Sequence, residues 1–319
     1  LLQQHAPFEK QKVPVGHAVR FAYLQTAAAM LMRETGERSL LPTLEQAWQR
    51  MITRRMYVTG GIGSLPGLEG FGRDYELDPD YAYAETCAAL GSLFWNWEMA
   101  QLDGKAQYSD LFEWQLYNAA AVGFGLNGRT YLYNNPLACR AALTRQPWFA
   151  VPCCPSNLSR TWADLGKYIY SVDPGQLTVH QYISSQLVDE ILPLDGSEAA
   201  VSLEMQCELP WQGRVSLKLL DMHLSRGVDA AFTLRLRRPS WAGRMRISIN
   251  GIETLQPPAP ADVLEPTASG YDPRQSVFVP ITRSWLPADR MEIEFDLPVH
   301  LLRAHPRVKG SRGMAAVTR

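Results

Sequence analysis

The chain has 319 residues, 46% of them hydrophobic and 20% charged, so at roughly 150 residues per domain it holds material for about two globular domains. Thirty-one Lys+Arg stand against 32 Asp+Glu with no long run of either sign, which excludes the footprint of a nucleic-acid binder or a polybasic membrane anchor. No apolar stretch approaches the ~20 residues that span a bilayer, the first ten residues lack a signal-peptide layout, and an odd count of five cysteines argues against a secreted disulfide scaffold and for a reducing, cytoplasmic compartment.

Helical period governs the first half. Residues 17–34 place Phe21, Leu24, Ala28 and Leu31 on one face, and residues 85–102 repeat the pattern with Leu90, Leu93, Phe94 and Trp97. Segments 40–55, 105–123 and 157–170 carry weaker versions, with Asn157 or Ser159 placed to cap the last and Gly104 and Gly128 near helix ends. Five helices are thus expected before residue 172. After SVDPG (171–175) the period switches to two: Val215, Leu217 and Leu219; Phe232, Leu234 and Leu236; and Met291, Ile293, Phe295 and Leu297 alternate with polar residues, as half-buried antiparallel strands do. Asn250-Gly251 and the loop PPAPAD (257–262) punctuate these strands at sandwich-like spacing. The expectation is an α + β multidomain chain, helical to about residue 172 and all-β beyond it.

Between the second and third helices, TGGIGSLPGLEGFG (59–72) holds six glycines. It has neither a Gly-Lys-Ser/Thr ending nor GxGxxG spacing, so the phosphate-cradle and dinucleotide readings fail. Its glycines permit a close-approaching backbone with Glu69 at the loop tip; the bland alternative is a surface turn with a solvated carboxylate.

Next come Tyr-Ala-Glu85-Thr-Cys87 and, 66 residues after Cys87, Pro-Cys153-Cys154-Pro. Side chains two apart diverge inside a helix, so Glu85 and Cys87 can share one ion only where a helix begins. Pro152 and Pro155 are expected to keep Cys153 and Cys154 out of regular helix. Three thiolates and a carboxylate suit tetrahedral zinc, and soft sulfur argues against magnesium or calcium; buried thiols or a vicinal disulfide are the alternatives. Cys139 and Cys207 have no such company and read as packing residues.

GHAVR (16–20), YVTGGIGS (57–64), EGFG (69–72), AETC (84–87), LFEWQLYN (111–118), YLYNNPL (131–137) and PCCPSN (152–157), followed by RRPSWAG (237–243) and HPRVKGSRG (305–313), together resemble glycoside hydrolase family 127. The resemblance implies a β-L-arabinofuranosidase. It implies Zn2+ bound by Glu85, Cys87, Cys153 and Cys154, Cys153 as nucleophile and Glu69 as general acid/base. His17, Glu113 and Tyr133 fall at positions that line the family's sugar pocket; taken singly, they read as a cap partner, a solvated helix face and a core residue. A metal-bound thiol is deprotonated and held in place, so the implied reaction is retaining, with a thiolate in place of the usual nucleophilic carboxylate.

The family's catalytic fold is an (α/α)6 barrel of twelve helices. The resemblance therefore makes residues 1–172 the C-terminal part of such a barrel, residues 173–319 a truncated β-sandwich and the chain an internal fragment, which by itself is expected to lack part of the pocket wall and hence activity. The implied partner is an oligosaccharide or glycoside, with no nucleic acid and no membrane; a homodimer is compatible with the sequence. Three other readings compete: a related glycosidase acting on another sugar, a non-catalytic carbohydrate-binding protein with a structural zinc site, and a cysteine acyl-hydrolase pairing Cys153 with a histidine. The last requires a base such as His17 within hydrogen-bond reach of Cys153. Glu69 separates the glycosidase reading from the binding protein, which has no need to poise a carboxylate opposite a thiolate.

Overall fold

A computed structural model describes residues 3–139, 143–225, 231–255 and 265–319. It divides into two compact units: Leu1–Ala163 with Asp262–Pro273 and His300–Thr318, and Asp164–Ala261 with Arg274–Val299 and Arg319. The loop 257–262 singled out from the sequence lies outside the described residues.

The first unit carries α1 (Ala18–Thr35), α2 (Leu41–Arg54), α3 (Thr86–Asp103), α4 (Ala106–Gln115) and α5 (Cys153–Ala163). Helix α3 is buried on nearly every side, and Gly104 ends it in the left-handed conformation, its N–H bonded to the Ala100 carbonyl. Helix α1 buries Phe21 and Ala28 of the expected face but is rotated toward its small residues: Ala18, Ala22, Gln25, Ala29 and Met32 are buried as well, whereas Leu31 is exposed. The reason is close packing of backbones. A Cβ on Gly91 of α3 would sit 3.0 Å from the Ala22 Cβ, so the small-residue face of α1 goes inward and larger Leu31 stays out.

Two helix limits also move. Helix α4 gives way at Leu116 to a π-helical turn (Leu116–Ala120) and a 3₁₀ turn, rather than running on to 123. Helix α5 starts at Cys153, four residues before the expected cap; Pro155 lies in the first turn, where the missing N–H would have no helical partner anyway. Asn157 and Ser159 are therefore interior to α5 and do not cap it. Among the described residues there are five α-helices, fewer than a closed (α/α)6 ring contains.

The expected change of unit at residue 172 differs from the compact division at both ends of the β-rich region. The break falls after Ala163, and strands β11 (His300–Leu302) and β12 (Ala316–Thr318) belong with the helices. Leu302 packs on the helical core and the His305 ring stacks on Tyr75 at 4.7 Å, which ties this tail to the first unit.

The second unit is two sheets around one core. The four-stranded sheet runs β1 (Tyr170–Asp173), β2 (Gln176–Val179), β6 (Ala231–Arg238), β9 (Val277–Ser284), with β2 and β6 parallel and the other pairs antiparallel. The six-stranded sheet is antiparallel, in the order β3 (Ser185–Leu194), β4 (Ser197–Cys207), β5 (Arg214–Leu224), β10 (Arg290–Phe295), β7 (Met245–Ile249), β8 (Ile252–Leu255). Leu177, Phe232, Leu234 and Leu236 of the first sheet share a cluster with Leu203, Val215, Leu217, Met291 and Ile293 of the second, as alternation by two dictates. Asn250 and Gly251, both at positive φ, close the β7–β8 hairpin. Leu297 falls beyond the end of β10. No helix among the described residues is long and apolar enough to cross a membrane.

Candidate active site

Glu69 is placed by the glycine-rich loop. The loop folds back on the start of α1 through Phe71 N–H to Gly16 carbonyl (2.9 Å) and Ala18 N–H to Glu69 carbonyl (3.0 Å). Gly70 makes this possible: a Cβ there would meet the Gly16 oxygen at 2.1 Å, so no larger residue lets the two backbones touch. Glu69 itself ends the short turn Pro66–Leu68 at φ 48°, a left-handed conformation unusual for a residue with a side chain. The result sets the Glu69 Oε2 3.0 Å from the Nε2 of His17. His17 occupies the N-cap position of α1, yet its side chain makes no cap bond; its Nδ1 is buried without a partner.

Glu85 is the N-cap residue of α3 and Cys87 is the second residue of that helix, the one kind of place where the two side chains can converge. The segment 131–135 clamps this helix start. Thr86 N–H bonds the Tyr133 carbonyl (2.8 Å), Thr86 Oγ1 the Leu132 carbonyl (2.9 Å), and Asn135 Nδ2 the Ala84 carbonyl (3.1 Å). The N-terminal end of α5 meets it with Cys153 and Cys154. Potential ligand atoms of Glu85, Cys87, Cys153 and Cys154 all lie within 4.8 Å of one another, and those of His17, Glu69 and Glu85 form a second such group, so Glu85 belongs to both. The sulfurs of Cys87 and Cys154 are 3.3 Å apart, those of Cys153 and Cys154 3.9 Å apart, and Glu85 Oε1 is 3.8 and 3.7 Å from Cys153 and Cys154. All five cysteines are free thiols, so the vicinal disulfide is not formed.

The electrostatics call for a cation. Burial, then the negative charge of Cys87 and that of Glu69, push the Glu85 carboxyl up to about 8. Its Oε2 is buried with no hydrogen-bond partner. The first thiolate forms readily at Cys87, brought down to about 6 chiefly by the hydrogen bond from Cys154, against burial and with help from Asn157. Further ionisation is opposed: Cys154 is raised by that same shared bond and by burial, and Cys153 by burial, partly offset by Tyr133. Four acidic donors packed in one place with an orphaned carboxylate oxygen fit a divalent ion, and three sulfurs among them fit zinc.

Tyr133 stands beside the thiol cluster: its hydroxyl is 3.2 Å from the Cys153 sulfur and Phe149 packs edge-on against its ring at 5.5 Å. Glu113 is buried on α4, not on a solvated face, and joins neither group of potential ligands. Cys207 Sγ lies 3.1 Å from the Tyr182 carbonyl, whereas Cys139 is exposed rather than packed. His17 bonds Glu69 and not Cys153, which leaves the acyl-hydrolase reading without its base.

Two site residues escaped the sequence reading. The Tyr83 phenol is raised by burial, then by the charge of Glu85 and by a hydrogen bond to Glu69. No period pointed to it, because Ala84 between Tyr83 and Glu85 takes a left-handed φ of 39° that only the folded chain sets. Asn157 donates its Nδ2–H to the Cys87 sulfur at 3.1 Å, where the sequence offered only a helix cap. A cavity of about 200 Å³ lined by Tyr57, Leu77, Leu137, Ala268, Val308 and Met314 includes none of these site residues.

Residues 2–167 match the model of the β-L-arabinofuranosidase GH127 catalytic domain, and residues 176–298 that of the GH127 middle domain. The chain is 31% identical over 333 residues to a non-reducing end β-L-arabinofuranosidase of Bifidobacterium longum subsp. longum, covering 99% of this chain and 46% of that protein. Among solved structures it is similar to a GH127 β-arabinofuranosidase (TM-score 0.85, 32% identity, 100% of this chain and 49% of that one). It is equally similar to a GH127 β-L-arabinofuranosidase from Geobacillus stearothermophilus T6 (TM-score 0.84, 33% identity, 100% and 48%). The chain thus spans about half the length of the relatives it matches. With both domain models matched in order and together covering most of its residues, the chain belongs to glycoside hydrolase family 127.

Proposed function

We propose that the protein is a retaining glycoside hydrolase that releases L-arabinose from β-L-arabinofuranosides, with Cys153 as nucleophile and Glu69 as general acid/base. The observation that carries this reading is the placement of Glu85, which belongs at once to the thiol cluster and to the His17–Glu69 pair, so that a nucleophile and a proton donor face one space. The names of the relatives support the sugar. The helical unit is then part of an (α/α)6 barrel, and five free thiols support a reducing compartment such as the cytoplasm.

Glu85, Cys87, Cys153 and Cys154 are the residues that would hold zinc, which when bound supplies the charge that keeps the cysteine sulfurs deprotonated at neutral pH. The chain's own residues do the rest. His17, through its bond to Oε2, aims the Glu69 carboxyl. Cys153 Sγ attacks the anomeric carbon and forms a C–S bond as the glycosidic C–O bond breaks; the departing oxygen takes the Glu69 proton. Glu69, now a carboxylate, takes a proton from water as that water attacks the anomeric carbon and Cys153 leaves as thiolate. Two inversions give retention. Tyr133 donates its hydroxyl to the Cys153 sulfur whenever it carries charge.

The test, made in the intact enzyme rather than in this chain by itself, is the pair of variants Cys153→Ser and Glu69→Gln on β-L-arabinofuranosides with good and poor leaving groups. Cys153→Ser abolishes turnover of both, since a hydroxyl is a far poorer nucleophile. Glu69→Gln slows the poor leaving group far more than an activated aryl group, which needs less protonation. Near-parental rates from Cys153→Ser, or an inverted first product by NMR, would leave a carbohydrate-binding protein or a different mechanism in its place.

A further inference from the structure

The amide of Asn157 is held from both sides. On one side Nδ2 lies 3.1 Å from the Cys87 sulfur. On the other, Oδ1 accepts from Arg160 Nε at 2.7 Å and from the Tyr23 hydroxyl at 3.3 Å, while Arg160 Nη2 donates to the Tyr23 oxygen at 3.0 Å. These residues come from two helices, Tyr23 from α1 and Asn157 and Arg160 from α5, and Phe94 of α3 supports them from below. The Arg160 guanidinium lies 4.7 Å over the Phe94 ring, and Tyr23 packs against Phe94 at 6.2 Å.

This arrangement decides which way the amide faces. A guanidinium has five N–H groups and no acceptor, so the group 2.7 Å from Arg160 must be the carbonyl oxygen of Asn157. The N–H is thereby forced toward sulfur. An amide free to turn would spend part of its time presenting an oxygen lone pair to a thiolate, which repels it; here the arginine's charge penalises that orientation. The bond to Arg160 also polarises the amide and strengthens its N–H as a donor. Helical spacing completes the design: Asn157 stands three residues after Cys154 and four after Cys153, so one helix carries two members of the thiol cluster and the group that addresses a third.

We infer that Asn157, locked by Arg160 and Tyr23, is a positioning residue of the thiolate centre: it orients the Cys87 sulfur and carries part of its negative charge by an N–H···S hydrogen bond. The inference rests on the zinc reading proposed above. Metal-site partners beyond the ligands themselves are worth ~10–100-fold in metal affinity when removed, because they fix ligand direction and donor strength.

The experiment measures zinc affinity by competition with a chromophoric chelator at neutral pH, and the sulfur-to-cobalt charge-transfer band after cobalt is put in place of zinc. It compares the parental protein with Asn157→Asp and Arg160→Met. Asn157→Asp keeps the size of the side chain and its acceptor for Arg160 and Tyr23, and puts a negatively charged carboxylate oxygen where the N–H met the sulfur. The expected result is a ~10–100-fold weaker zinc complex and a band moved to longer wavelength, because sulfur electrons no longer held by the N–H are easier to transfer. Arg160→Met retains a side chain to cover Phe94 and frees the amide to turn, and is expected to shift both readouts in the same direction by a smaller amount. It keeps the test valid where Asn157→Asp fails to fold. Parental zinc affinity with an unmoved cobalt band in a folded Asn157→Asp protein, or in Arg160→Met where that variant alone folds, would overturn the inference and show Asn157 to be packing only. A parental protein that binds no zinc overturns the zinc reading itself, and this inference with it.

Discussion

The hydroxyl of Tyr133 lies 3.2 Å from the sulfur of Cys153, and the carbonyl of the same residue lies 3.7 Å from the sulfur of Cys154. One residue at a bend in the chain thus touches both members of the vicinal pair, and it does so because Thr86 holds that segment at the start of α3. A hydrogen bond to a charged group contributes about 1.5–3 kcal/mol. Tyr133→Phe should therefore lower kcat/KM on an aryl β-L-arabinofuranoside by ~10–100-fold, and slow alkylation of Cys153 by iodoacetamide in metal-stripped protein. Unchanged kinetics would mean that the phenol only fills space.

His17 sits where a helix cap is expected but spends its ring on Glu69 instead. Removing the ring should therefore damage the reaction more than the fold. His17→Ala is expected to cut kcat/KM by ~10–100-fold through misdirection of Glu69, with a change in thermal midpoint of only a few degrees. A large fall in midpoint with unaltered kinetics of the folded fraction would reverse that assignment.

Gly70 and Gly67 share one loop and differ in surroundings. A methyl group at Gly70 meets the Gly16 oxygen at 2.1 Å; at Gly67 it meets nothing within 4 Å. Gly70→Ala should cost about 1–3 kcal/mol of stability by displacing backbone, and should lose most activity as Glu69 moves away from His17. Gly67→Ala should match the parental protein in both respects. Denaturant titration and steady-state rates on the two variants decide it.

His180, buried just past the end of β2 with its Nε2 2.8 Å from the Ser171 hydroxyl and its ring against Phe278, is held down to about 3 by burial and by the charges of Arg237 and Arg235. The unfolded chain takes up its proton near pH 6.5, whereas the folded chain stays neutral. The folded state's advantage is thus complete above about pH 6.5 and is lost as pH falls toward 3, by up to about 1.4 kcal/mol per pH unit. Urea midpoints between pH 7 and pH 4.5 should fall for the parental protein and fall less steeply for His180→Gln.

Local sequence patterns were enough for the kind of structure in each half and for the residue types that meet at the candidate site. Period 3.6 before residue 172 and period 2 after it appear as helices and paired strands because alternation of apolar side chains is a local property, set by backbone geometry. AETC and PCCP gave the chemical types of a cluster that could hold a metal ion for the same reason: softness and charge belong to the side chain. Tertiary packing decided what no window of sequence contains. Helix α1 buries Ala22 and exposes Leu31 because a glycine on another helix leaves room only for a methyl group. Strands β11 and β12 join the helical unit because Leu302 and His305 find partners there. The PCCP segment became the first turn of a helix because a proline there gives up no helical bond, and that turn aims two thiols at a third 67 residues away. Asn157 reads as a cap in sequence and serves a sulfur in the fold, since the direction of an amide is settled only by the arginine that the folded helix sets beside it.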